Sequence, residues 1–319
     1  MATADQIKLL IQSHFDQDDE RFKTIVLQVA AYEAQKGHKS FARDIRDIVD
    51  KSKSKKVTSK VIPFNKDLSD MIMSTMVDNR LTDLVVTDEI KKRIERIVKE
   101  RIQREKLKKH GLTNRRKLLI AGPPGTGKTL TAAVLAGELN LPFCTIMVDK
   151  LITKFMGETS VKLRQIFDTI REMQGVYLFD EFDAIGAERS MDNDVGEMRR
   201  VLNSFLQFIE QDDSSSLIVA VTNNPKMLDQ ALFRRFDDVL HYKLPDNEQI
   251  LRLIENRLAE YSSRKLDLNR VVSEAITLSQ AEISKACDDS IKETILSDKQ
   301  FVETEQLVKM LRERKDAYT

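Results

Sequence analysis

Eight consecutive residues, Gly122, Pro123, Pro124, Gly125, Thr126, Gly127, Lys128 and Thr129, carry the clearest chemical signal in the chain. They fit the pattern G-x-x-x-x-G-K-[ST]. Its glycines let the backbone curl so that successive N–H groups face inward and cradle an anion. Lys128 adds a positive charge suited to the outer phosphates of a nucleoside triphosphate, and the Thr129 hydroxyl is a hard oxygen ligand for Mg²⁺. The apolar run Lys117–Ala121 before the loop reads as a buried strand, and Leu130–Leu139 after it reads as a helix. The phosphates would then rest at a helix N-terminus, whose first N–H groups have no intrahelical partner. Leu130, at the start of that helix, belongs to the same expected contact surface.

A second constellation completes the chemistry. The four apolar residues Val176–Phe179 read as a strand and end in Asp180 and Glu181. Asp180 is positioned to hold Mg²⁺ together with Thr129, and Glu181 to polarise an attacking water as general base. ATP and Mg²⁺ are therefore the expected ligands.

These groups need elements to hold them. After the loop the apolar pattern alternates between strand and helix: a strand at 143–148, a helix at 159–173, strands at 176–179 and 217–221, and a weaker one at 239–242. Such alternation predicts an α/β fold, a parallel sheet sandwiched by helices. Val161, Leu163, Ile166, Phe167 and Ile170 form the apolar stripe of the helix at 159–173. A long helix is expected over 88–109, capped by Thr87, with Ile90, Ile94, Ile97 and Val98 buried. Met71, Ile72, Met73 and Met76 are expected to pack against this domain. From Asn247 onward only helical stripes recur, among them Ile283, Cys287, Ile291 and Ile295, which predicts a separate small all-α domain. The expected organisation is a helical bundle at 1–50, a Lys/Ser-rich linker at 51–62, an α/β domain at 63–245 and a helical domain at 246–319.

Composition sets outer bounds. A chain of 319 residues has room for two or three domains. With 52 basic and 51 acidic residues it has no overall charge bias toward nucleic acid or an anionic membrane. The lysines at 51–60 read either as a nucleic-acid contact or as a solvated tether, and the tether is favoured. Cys144 and Cys287 are read as reduced core residues. The N-terminus lacks a basic flank and apolar stretch, and no run is long enough to span a membrane, so a cytoplasmic protein is expected. The four histidines show no H-E-x-x-H zinc pattern.

Gly122–Thr129, the run Asp180–Asp183, and the stretch Ala220–Pro225 continuing through Asp229–Phe236 together resemble the AAA ATPases. More narrowly they resemble the subgroup of katanin, spastin and the membrane AAA proteases. The resemblance covers roughly residues 80 to 300, with 219–236 its most specific part. It implies an ATP hydrolase working as an oligomeric, hexameric ring on a protein client. It makes the 63–245 domain the large ATPase domain and the 246–319 domain its small lid. Asn223 matches the sensor that orients the lytic water and registers the γ-phosphate, and Arg234 and Arg235 match paired arginine fingers acting on a neighbour's nucleotide. Lys154, Phe155, Met156 and Gly157 resemble the first pore loop, whose aromatic and thioether side chains would grip an extended polypeptide. Ser190–Val195 fall where a second pore loop would lie, and Val85 and Val86 fall near the adenine-binding stretch.

The chain departs from the subgroup at Thr277–Glu282, where Gln280 stands in place of a small glycine beside the nucleotide. No arginine stands out as a second sensor. The bundle at 1–50 is expected to dock a partner or client. Three activities follow: a motor that threads polypeptides, a nucleic-acid-linked AAA machine, or an ATP-driven regulator of a separately encoded effector. The last includes a protease in a bacterial defence or plasmid-competition system.

Overall fold

The computed structural model describes residues 8, 24–30, 32, 68, 71–148, 150–151, 158–183, 195–228, 230–263 and 265–317. The chain divides into two units, Met1–Thr58 and Ser59–Thr319. In the first unit, residues 24–30 are helical and bury Ile25, Val29 and Ala30. The rest of the expected bundle and the linker at 51–62 lie outside the described residues.

The second unit opens with β1 (Ile72–Thr75), α1 (Asp88–Ile102), α2 (Arg104–Lys109), β2 (Lys117–Ala121), α3 (Lys128–Leu139) and β3 (Phe143–Ile146). It continues with α4 (Thr159–Glu172), β4 (Val176–Phe179), α5 (Val195–Gln211), β5 (Leu217–Thr222), α6 (Gln230–Phe233) and β6 (Asp238–His241). Four helices follow: α7 (Asn247–Leu258), α8 (Leu268–Ala275), α9 (Gln280–Leu296) and α10 (Thr304–Asp316).

The strands form one sheet in the order β1-β3-β4-β5-β2-β6. Among the described residues only β1 runs antiparallel, pairing Ile72 with Ile146 and Thr75 with Phe143. The other four pairings are parallel, as helical crossovers require. Alternation along each strand divides the core. Leu119, Tyr177, Phe179, Ile218 and Ala220 face one side with α4 and α5, where Phe205 stacks edge-on to Phe179 at 5.1 Å. Leu118, Ile120, Leu178, Val219 and Val221 face the other, packed with Ile90, Ile94 and Ile97 of α1 and Leu135 of α3. With both faces covered, the strands read as continuous apolar runs. The result is a mixed α/β, P-loop-type domain followed by a helical part with its own core around Ile254, Val271, Ile283 and Leu307.

Several local expectations need correction. The helix expected over 88–109 breaks at Gln103 (φ −97°, ψ 19°). Its buried stripe has run out by then, and α2 buries no residue, so nothing holds the later turns in line. The stretch at 71–76 contains a strand, β1, not merely packing residues. Val161 and Ile295 sit on apolar stripes yet are 58% and 51% exposed. Thr87 caps α1 as expected, its hydroxyl accepting from the Ile90 N–H at 3.3 Å. Cys144 and Cys287 are buried free thiols, and burial pushes the pKa of both up. Among the described residues no helix is long and apolar enough to cross a membrane.

Candidate functional site

The phosphate loop joins β2 to α3 at the carboxyl end of the sheet, where α/β folds place ligands. Asp180 follows β4 and Asn223 follows β5, and β5 lies between β4 and β2. Three distant parts of the sequence thus converge. Phe182 N–H donates to the Val221 carbonyl at 2.9 Å and Gly122 N–H to the Thr222 carbonyl at 3.2 Å, tying the strand ends together.

Lys128 is 5% exposed, and its ammonium donates to the carbonyls of Gly122 and Pro123 at 2.9 and 2.6 Å and to Asn223 Oδ1 at 2.8 Å. Its three N–H donors are all used. Burial lowers its pKa, with Asp180 and Asp183 acting in the opposite direction. Thr126, buried, donates its hydroxyl to the Pro123 carbonyl at 2.8 Å and so braces the loop.

Thr129 Oγ1 donates to Asp180 Oδ2 at 3.0 Å, so a hydroxyl and a carboxylate meet beside the loop. The other carboxylate oxygen accepts from the Glu181 N–H at 2.9 Å. Glu181 has a left-handed backbone, φ 51°, a conformation most side chains avoid and one that concentrates at functional sites. Its side chain is exposed. The Asn223 N–H donates to Asp183 Oδ1 at 3.2 Å.

These groups open onto a cavity of about 940 Å³. Pro124 through Leu130, Asp180, Glu181 and Asn223 line it, while Gly122 and Pro123 stand behind, turned toward Lys128. Val85 and Val86 supply an apolar wall. They arrive on a strap docked onto the end of α3, through Arg80 Nη1 to the Gly137 carbonyl and the Leu81 N–H to Glu138 Oε1, both 2.8 Å.

The helical part closes the remaining side. The Ala281 N–H donates to the Gly125 carbonyl at 2.9 Å, and Gly125 (φ +72°) packs against Ser279 so closely that a Cβ there would lie 2.4 Å from its Oγ. Ser279 also caps α9, accepting from the Glu282 N–H at 3.3 Å. Leu253, Asn256, Arg257 and Gln280 line this side. Arg257 forks onto Asp288 at 2.5 and 2.6 Å, which raises its pKa. Sequence reasoning missed Asn256 and Arg257. The available signal was their place one turn beyond Leu253 on an otherwise ordinary amphipathic helix.

One pair of expected residues is not brought to the cavity. Arg234 and Arg235 are exposed and line no part of it, and Arg235 instead pairs with Glu210 at 2.8 Å. Lys154–Gly157 and residues 190–194 lie outside the described residues.

The donor set suits a hard cation bound mostly through a ligand. Among the described residues no cluster of three or more His, Cys, Asp or Glu could hold a metal alone. One hydroxyl and one carboxylate beside a phosphate cradle is the usual protein share of a Mg²⁺ site.

A family model described as "ATPase family associated with various cellular activities (AAA)" matches residues 118–244. An uncharacterized AAA family ATPase of Sinorhizobium fredii is 31% identical over 308 residues, 95% of this chain and 92% of that protein. A putative 26S proteasome regulatory subunit homolog of Methanocaldococcus jannaschii is 30% identical over 233 residues, 72% of this chain and 62% of the homolog. A proteasome-activating nucleotidase of Methanococcus maripaludis is 30% identical over 205 residues, 62% of this chain and half of the nucleotidase. With the first of these relatives matched over nearly its whole length, and the phosphate loop, strand-end acids and lid around one cavity, the chain belongs to the AAA family of ATPases.

Proposed function

We propose that this protein hydrolyses ATP to ADP and phosphate and couples the cycle to remodelling a protein client. The observation that carries this reading is the convergence of Lys128, Thr129, Asp180 and Asn223 at one cavity, with direct contacts at 2.8 and 3.0 Å. Loop amides and Lys128 bind and orient the phosphates. Thr129 and Asp180 would hold Mg²⁺, which when bound neutralises phosphate charge. Glu181 takes the proton of the attacking water, and Asn223 holds that water in line once it leaves Lys128. Val85 and Val86 receive the base.

Arg234 and Arg235 act on a neighbouring protomer's nucleotide, which makes the chain a homo-oligomer and, by family likeness, a hexameric ring. Their exposure and their absence from the cavity of their own chain support this. A finger of this kind contributes about 10³–10⁵ in rate elsewhere. The narrower likeness to katanin, spastin and the membrane AAA proteases, the pore-loop role of Lys154–Gly157, the docking role of residues 1–50, and a cytoplasmic location belong to this proposal.

One observation favours a second reading. Two relatives are named as a proteasome regulatory subunit homolog and a proteasome-activating nucleotidase. Their names fit an ATP-driven regulator of a separately encoded effector, and they favour a protein partner over nucleic acid.

The Glu181→Gln variant tests the core proposal. It should bind ATP with near-native affinity, release no phosphate, and sediment as an oligomer with ATP present. ATP hydrolysis at the native rate, or a monomer at micromolar protein under saturating ATP, would defeat it. Phe155→Ala separates the two client readings: lost unfolding with ATPase retained supports threading, and unchanged unfolding refutes it.

A further inference from the structure

The chain as a whole is nearly neutral, yet its positive charge is not spread evenly. Residues 91–117 hold thirteen basic and three acidic side chains. Three of the arginines are neutralised in the fold: Arg93 by Asp238, Arg115 by Glu100 and Arg116 by Asp212. Lys99, Lys106, Lys108 and Lys109 are exposed and form no ion pair among the described residues. A helix end attracts a cation or two through its dipole, so charge alone decides nothing here.

A second feature lies among these lysines. Leu81, Val98 and Ile102 line a recess of about 270 Å³ where α1 meets the strap and the end of α3. Leu81 and Val98 are half-buried and pack on the core, whereas Ile102 is 69% exposed. The polar lining is Lys99, Gln103, Glu95 and Glu138, and Glu138 already accepts from the Leu81 N–H. Gln103 also begins α2, its carbonyl accepting from the N–H groups of Lys106 and Leu107 at 3.0 and 3.2 Å. α2 has six residues and is about 9 Å long, so its lysines stand close beside the recess.

Each feature narrows the occupant. Pockets for small molecules run about 300–1,000 Å³, and this recess is smaller, with an exposed isoleucine in its wall, which suits side chains of a macromolecule. A nucleic-acid backbone or an anionic bilayer would meet the lysines but has nothing to place against Leu81 and Val98. Its continuous negative charge would also face Glu95 and Glu138. A peptide spaces its charges: an apolar side chain fills the recess, and carboxylates beside it meet Lys99 and the lysines of α2. We infer that this surface docks an acidic segment of a partner protein, anchored by a large apolar side chain in the recess. The surface is built from neither the phosphate-binding residues nor residues 1–50.

Fluorescence anisotropy with the full chain and three short labelled peptides tests it. The first peptide carries a central Leu-Phe pair between runs of Asp and Glu. The second replaces the pair by Ser-Ser, and the third replaces the acids by Asn and Gln. The first should bind about tenfold tighter than either of the others, the size expected when an apolar anchor or a set of ion pairs is lost. Its affinity should fall as salt is raised. Ile102→Ala and the triple variant Lys106→Glu/Lys108→Glu/Lys109→Glu should each weaken it about tenfold. α2 buries no residue and Ile102 is largely exposed, so both variants should keep native urea midpoints and bind ADP within about twofold of native. No binding of the first peptide overturns the inference. So does equal binding of the first and second peptides, which marks an unshaped patch of charge. Tighter binding to a short DNA duplex or to phosphatidylserine vesicles, unaltered by Ile102→Ala, assigns the surface to nucleic acid or lipid and overturns it. Loss of the ATP-dependent oligomer in either variant assigns the recess to a second copy of this chain and overturns it as well.

Discussion

Substituting Gly125 by alanine separates two costs that the structure makes distinct. Gly125 has φ +72°, and Gly127 in the same loop has φ +88°. A side chain in this left-handed region costs about 1–2 kcal/mol, reduced by a few tenths because alanine restricts the unfolded chain. That term applies to both positions. A Cβ on Gly127 meets nothing within 4 Å, whereas on Gly125 it lies 2.4 Å from Ser279 Oγ, 3.0 Å from Ser279 Cβ and 3.2 Å from Ala281 Cβ. Rotating the serine hydroxyl away forfeits the α9 cap, worth about 1 kcal/mol, and still leaves its Cβ too close. The first turn of α9 must then back off, weakening the 2.9 Å bond between Ala281 and Gly125. Gly125→Ala should therefore lose about 2–3 kcal/mol and Gly127→Ala about 1. Ser279→Gly removes both offending atoms, and glycine at an N-cap costs only a few tenths of a kcal/mol. Added to Gly125→Ala, it should recover about 1–2 kcal/mol; added to Gly127→Ala it should recover nothing. Urea unfolding followed by circular dichroism, with midpoints compared at constant slope, reads all five variants. Equal losses for Gly125→Ala and Gly127→Ala, or no recovery from Ser279→Gly, would refute the close docking of the lid on the phosphate loop.

Tyr242 is 4% exposed, shares a 2.6 Å hydrogen bond with Thr131, and burial raises its pKa from 10.0 to about 12. The neutral phenol is favoured in the fold, so its contribution is complete below pH 10 and is lost toward pH 12, about 3 kcal/mol in all. Tyr242→Phe should cost about 1 kcal/mol at pH 7 yet flatten that alkaline decline, as denaturation midpoints from pH 7 to 11 will reveal. Asp212 has a fully buried side chain paired with Arg116, just before β2, at the end of that strand away from the phosphate loop. Asp212→Ala strands the guanidinium and should cost about 3 kcal/mol of stability, while calorimetric ADP affinity stays within about twofold of native.

What was legible in the sequence was what is local. Leu118–Ile120 and Leu217–Val221 read as strands because both faces of the sheet are covered, leaving unbroken apolar runs. The edge strand β1 did not, because Met73 is 54% exposed and four residues with a mixed pattern do not separate a strand from a packing segment. α8, only eight residues long, escaped for the same reason. The loop, Asp180 and Glu181 were legible from short spacings that phosphate and water chemistry impose. The bond from Lys128 to Asn223 joins residues 95 apart, and only strand order places β5 beside β2. The lid's share of the cavity was the least legible. Asn256, Arg257 and Gln280 matter through where two helices rest on the loop, and no periodicity encodes that.

Under the proposed function, a site built by one protomer is completed by the next. ATPase rates of mixed inactive chains test it most directly. A Lys128→Ala chain lacks the phosphate ligand but keeps its arginines; an Arg234→Ala/Arg235→Ala chain has the reverse defect. Each alone should be inactive. Mixed in equal amounts, they should recover roughly a quarter of the native rate, the share of head-to-tail interfaces that pair an intact cavity with an intact arginine pair. Mixtures as inactive as their components, alongside native protein whose rate per chain does not fall on dilution, would contradict the claim.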